Sequence, residues 1–178
     1  MKKTVSSRRR GNLSKSAAGI EGLPLTLIIT MVVLAITVPM IFGSLRAYDR
    51  ARVETALESE INRFTSAVQT VYIAGPGNSV AIDFHALDGS MTGVESVRFG
   101  DVPNGSFASS VRYILQSRAE CVVPMSQPSV PMGADDGCAL QIGSGKYKIQ
   151  AECIISPTDL NGDGRLSDTC VRLRLISR

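Results

Sequence analysis

The chain has 178 residues, enough for one ordinary domain and an anchor but not for two full cores. Its net charge of +3 misleads, because Lys2, Lys3, Arg8, Arg9, Arg10 and Lys15 all precede the first acid, Glu21, and the rest of the chain is acidic overall. A basic balance points to nucleic acid only when the folded domain carries the charge, so nucleic-acid binding is not expected.

Residues 1–19 are rich in Lys, Arg, Ser and Gly without apolar periodicity, and read as a basic leader that is disordered or removed. From Gly22 to Leu45 no residue is charged. At about 1.5 Å per residue a helix over this stretch reaches roughly 36 Å, more than the hydrocarbon thickness of about 30 Å. It is longer than the apolar region of an ordinary secretory signal, about 7–15 residues, and apolar on all sides. We therefore expect a transmembrane helix over residues 20–45, starting near Glu21. The basic flank should stay in the cytoplasm and the C-terminal part should be exported. Pro24 suits a first turn, whereas Pro39, deep in the span, is expected to kink it.

Residues 46–74 contain neither Gly nor Pro, so the helix should continue as an amphipathic extension. Leu45, Tyr48, Val53, Leu57, Ile61, Phe64, Val68 and Val71 recur at mostly three- and four-residue steps and define a face that must be covered. Gly75-Pro76-Gly77-Asn78 is a stop signal.

Beyond it, residues 79–178 read as an exported β domain. Candidate strands are Val80–Phe84, Val94–Phe99, Val111–Leu115, Cys121–Val123, Cys138–Ile142, Lys146–Ile155 and Val171–Ile176. Tyr147, Ile149, Ala151, Cys153 and Ile155 alternate with Lys146, Lys148, Gln150 and Glu152, which gives that strand one buried and one wet face. Gly143-Ser144-Gly145 is expected to turn a short hairpin between it and Cys138–Ile142. Pro124–Gly137, with its prolines, is expected to be a loop. The fold class is thus α+β, a long N-terminal helix followed by a small antiparallel β domain.

Cys121, Cys138, Cys153 and Cys170 all fall in the exported part, and an even number there predicts two disulfides. Their gaps of 17, 15 and 17 residues do not suit a structural zinc site, whose paired ligands lie about two to four residues apart. Of the three pairings, Cys121–Cys138 and Cys153–Cys170 each close one excursion of the chain. Against the second bond, Cys170 falls on the arginine side of the last strand while Cys153 belongs to the buried set.

One local motif suggests a cofactor. Asp159, Asn161 and Asp163 place oxygens at alternate positions, Arg165 can add its carbonyl and Ser167 a water-mediated contact, as in the first two-thirds of a calcium loop. Position twelve of such a loop is Cys170 rather than an acid, and Asp168 is the nearest carboxylate. A calcium ion and a plain polar turn both fit the segment. His85, the sole histidine, fits a solvent-facing turn, and no nucleophile elbow, phosphate loop or zinc-protease motif occurs, so no enzyme is expected.

The basic leader, the small-residue patch Ser16-Ala17-Ala18-Gly19, the single acid Glu21, the apolar helix with Pro39 inside it, the amphipathic extension and the β domain together resemble a type IV pilin-like protein. The run Ala-Gly-Ile-Glu-Gly-Leu-Pro-Leu resembles archaeal precursors with a class III signal. The resemblance covers residues 1–77 as an architecture, and Pro24 departs from the common bacterial pattern. It implies a prepilin-type signal peptidase cutting between Ser16 and Ala17, just after Lys15, which makes Glu21 the fifth mature residue. Cuts after Gly11 or Gly19 are chemically plausible too. It further implies other pilin-like subunits as partners, with Glu21 and Pro39 acting in assembly, in a surface filament or pseudopilus. The alternative is a monomeric single-pass protein whose exported domain binds a ligand or partner, and an extracellular hydrolase comes third.

Overall fold

The computed structural model describes residues 17–87, 89, 91–101, 105–116, 119–156 and 169–177. One helix, α1 (Ala17–Ala74), is followed by eight strands: β1 (Ser79–Ala86), β2 (Val94–Phe99), β3 (Ser110–Leu115), β4 (Cys121–Pro124), β5 (Met132–Ala134), β6 (Leu140–Ile142), β7 (Gly145–Ile155) and β8 (Thr169–Ser177). The chain divides into two compact units, Met1–Leu45 and Arg46–Arg178. In the first, the described residues are helical from Ala17, earlier than the expected start near Glu21, and the helix runs through Pro39 without interruption.

The second unit is an α+β domain. Its sheets have the orders β1-β7-β8-β5 and β4-β3-β2-β6, antiparallel throughout except for the parallel pair β5·β8. Val53, Leu57, Ile61, Phe64, Val68 and Val71 of α1 are all buried, so this part of the face read from the sequence packs, whereas Leu45 and Tyr48, expected on the same covered face, are exposed. All but Val71 share one core with Ile82 and Phe84 of β1, Val97 and Phe99 of β2, Val111 and Tyr113 of β3, and Ile149 and Leu173 of β7 and β8. Phe64 is the junction. Its ring lies 5.9 Å from Phe84 in one sheet and 4.5 Å from Phe99 in the other, and these two are 5.1 Å apart. Aromatic pairs in this range contribute about 0.5–1.5 kcal/mol beyond their burial. The helix stops where Gly75 takes a φ of 87°, a left-handed value that only glycine adopts without strain.

Three expectations are corrected. The turn Gly143-Ser144-Gly145 joins no hairpin: β6 pairs with β2 in one sheet, and β7 pairs with β1 and β8 in the other. Eleven-residue β7 has both edges taken along most of its length, which leaves none for the three residues of β6. Local turn chemistry shows that the chain bends, not which strand edge is vacant.

The segment expected to be a loop, Pro124–Gly137, contains β5, held parallel to β8 through Met132↔Val171 and Ala134↔Leu173. A parallel partner is remote in sequence and leaves no turn signature. Gly100 makes this packing possible. It has φ 70°, and a Cβ built there would lie 1.8 Å from the Met132 carbonyl oxygen.

The third correction concerns the cysteines, which form no disulfide. Cys153 pairs in register with Val171 and is fully buried, whereas Cys170 sits opposite Ile154. Neighbouring residues of a strand point to opposite faces, so Cys153 and Cys170 stand on opposite sides of their sheet. Cys121 lies in edge strand β4, and Cys138 precedes β6 at the other edge. Three strand spacings, about 14 Å, separate those edges, where a disulfide requires Cα atoms within about 7 Å.

Candidate functional site

Two surfaces and two internal clusters are candidates, and the first surface is apolar. From Leu25 to Leu45 every side chain of α1 is exposed, including Ile28, Val32, Ile36 and Phe42. This is the one helix among the described residues that is long and apolar enough to cross a membrane. Its hydroxyls meet the demand that lipid makes on polar groups: Thr30, Thr37 and Ser44 each donate to the carbonyl four residues earlier, at 2.7, 2.5 and 2.9 Å.

Inside the second unit, the Tyr113 hydroxyl of β3 lies 3.4 Å from a carboxylate oxygen of both Glu54 and Glu58 of α1. These acids stand four residues apart, so one side of the helix presents both to the phenol. Burial pushes the Tyr113 hydroxyl well above its ordinary range, and the charges of Cys121, Glu54 and Glu58 act in the same direction. The cluster is a polar latch between helix and sheet.

The second cluster centres on Arg112, buried at 9% exposure. Its guanidinium lies 3.6 Å from Asp101 and 3.7 Å from Glu120, donates to the Gly100 carbonyl at 3.3 Å, and sits 4.8 Å over the Phe107 ring. A buried cation with two carboxylates and a carbonyl around it is a structural hub, since removing the anions would strand it.

On the outer face of the β1-β7-β8-β5 sheet, ion pairs crowd one region. Arg172 meets Glu152 at 2.7 Å, Arg174 meets Asp135 at 2.6 Å, and Arg172 Nε lies 3.3 Å from Asp135 without the alignment of a hydrogen bond. The hydrogen bond from Arg174 holds the Asp135 carboxyl below its usual range. Beside this ladder opens a cleft of about 290 Å³ with Asp101, Pro131, Gly133, Ile154 and Cys170 among its walls.

The residues singled out from the sequence are dispersed. Lys15 and Ser16 lie outside the described residues, Ala17 opens α1, and Glu21 and Pro39 lie within it. Asp159, Asn161, Asp163, Arg165, Ser167 and Asp168 lie outside the described residues as well. Among the described residues no three His, Cys, Asp or Glu side chains are grouped to hold a metal. His85 is half-buried at the end of β1. Sequence reasoning does not find the Tyr113 latch, because nothing local links β3 to residues 54 and 58; its only signal is a pair of glutamates four apart beside a covered face. No family model, curated protein or solved structure matches the chain.

Proposed function

We propose that this chain is a membrane-anchored, exported structural subunit, major or minor, of a type IV pilus-like surface filament or pseudopilus. The observation that supports it is the division of labour along α1: residues 25–45 are apolar and exposed, while Val53 to Val68 form part of a β domain's core. A helix of this kind anchors a precursor in lipid and offers a long surface to neighbouring copies after release from it. The leader cations outnumber Arg46, Arg50 and Arg52 beyond the span, which favours a cytoplasmic N-terminus.

In this reading a membrane peptidase removes residues 1–16, and Glu21 directs assembly. A carboxylate at the edge of an apolar helix is costly in lipid unless a cation pairs with it, and a neighbour's new terminal amine supplies one only on association. Two measurements test this. Intact mass of the membrane-extracted chain should correspond to a start at Ala17; a retained Met1 leader on surface-exposed protein would refute processing. Glu21→Ala should leave the protein anchored and folded but sharply reduce crosslinked oligomers at the cell surface. Undiminished oligomers would sink the role of Glu21, and their absence from the wild type would replace the filament with the monomeric ligand-binding reading.

A further inference from the structure

The outer face of the β1-β7-β8-β5 sheet has two unlike ends. At one, Arg172 and Arg174 are neutralised by Glu152 and Asp135. At the other, the register sets His85 opposite Lys146, Asp83 opposite Lys148, and Ser177 beside Lys148. Among the described residues neither Lys146 nor Lys148 has an ion-pair partner, and both are exposed. These side chains, with Arg63 of α1, line a shallow depression of about 440 Å³. Arg63 is fixed there, donating to Glu60 and to the Asp83 carbonyl at the open edge of β1.

Arg63 is paired with Glu60, whereas Lys146 and Lys148 face only Asp83 among the described carboxylates that line the depression, which leaves an excess of positive charge on a domain that is acidic as a whole. We propose that this depression binds a polyanionic glycan, a sugar chain carrying carboxylates at regular spacing. Lys146 and Lys148 are two residues apart on one strand face, about 6.7 Å along the strand, so successive carboxylates of an extended polymer can meet successive ammonium groups. Arg63, held at its rim, adds a third contact, and the Ser177 hydroxyl can serve a sugar hydroxyl.

The chemistry disfavours two other polyanions. Single-stranded nucleic acid needs a platform of exposed rings on which successive bases stack, yet the rings of Phe84 and Tyr147 are turned into the core at 1% and 6% exposure, which leaves the half-buried imidazole of His85 as the one ring at the depression among the described residues. A lipid surface needs apolar side chains that enter the acyl boundary, and the side chains presented outward in the depression, Arg63, Asp83, His85, Lys146, Lys148 and Ser177, are polar. The inference does not depend on the filament reading, since a monomeric anchored domain can use the same face.

The test is binding of the full chain, in micelles of a neutral detergent, to immobilised alginate over a salt series. Neutral dextran, a thymidine oligonucleotide and phosphatidylglycerol vesicles serve as competitors. Lys146→Gln/Lys148→Gln, whose side chains leave the core untouched, should weaken binding on the order of tenfold at low salt and reduce the slope of log K against log salt by about two. Arg46→Gln/Arg52→Gln, exposed cations elsewhere and matched in charge, should change neither by as much; the leader cations are common to all chains and cancel. Equal loss in both double variants, an unchanged slope, or no preference for alginate over dextran would overturn the proposal. Tighter binding of the oligonucleotide or the vesicles would overturn the glycan and assign the face to that competitor.

Discussion

If Phe64 joins the helix to both sheets, its truncation should be the most damaging single change in α1. The side chain is fully buried and touches rings at 4.5 and 5.9 Å. Phe64→Ala leaves a cavity where the three elements meet, and such changes cost about 3–5 kcal/mol, the two ring contacts included. Against a typical domain stability of about 5–15 kcal/mol, that is a large share. For a unit of this size it should lower Tm on the order of 15 °C. Tyr48→Ala, at a position 71% exposed on the same helix, should stay within about 0.5 kcal/mol of the wild type. The chain has no tryptophan, so near-ultraviolet circular dichroism of its four tyrosines, on the full chain in micelles, is the readout. Similar melting of the two variants would mean that residues 53–71 do not belong to the domain's core.

Three further outcomes are expected. The folded state holds the Tyr113 proton more tightly than the unfolded chain does, so this contribution to stability is complete below about pH 10 and falls as pH rises beyond it; Tyr113→Phe should flatten that alkaline limb, and equal limbs would refute the latch. Without reductant, all four cysteines should titrate as thiols after unfolding, while in the native protein Cys138, exposed, should react fast and Cys153, buried with its thiol pushed up by desolvation, should not react; two disulfides found in the mass spectrum would contradict the strand register. If residues 159–168 hold calcium, the ion binds only the folded state and adds about 2.7 kcal/mol at a hundredfold excess over Kd; an identical melting curve with and without chelator would leave the polar turn alone.

Patterns with a short period are legible in the amino-acid sequence by itself. The uncharged run from Gly22 to Leu45 announces a helix long and apolar enough to cross a membrane, the three- and four-residue steps from Val53 to Val71 announce a buried stripe, and the two-residue alternation of β7 announces one wet face. Each of these depends only on how a helix or strand places successive side chains, so neighbours in sequence carry the whole signal. The stop at Gly75 belongs with them, because left-handed backbone is a property of one residue. Tertiary structure decided everything that depends on which edge lies beside which: that β6 and β7 part into different sheets, that β5 arises in a proline-rich stretch because β8 has a vacant edge, and that Tyr113 meets Glu54 and Glu58. It also decided the cysteines. Their number suggests two bonds, but a one-residue step along a pleated strand turns Cys153 inward against Cys170 outward, and three strand spacings hold Cys121 from Cys138. Long-range pairing is a choice among edges that only the assembled core settles.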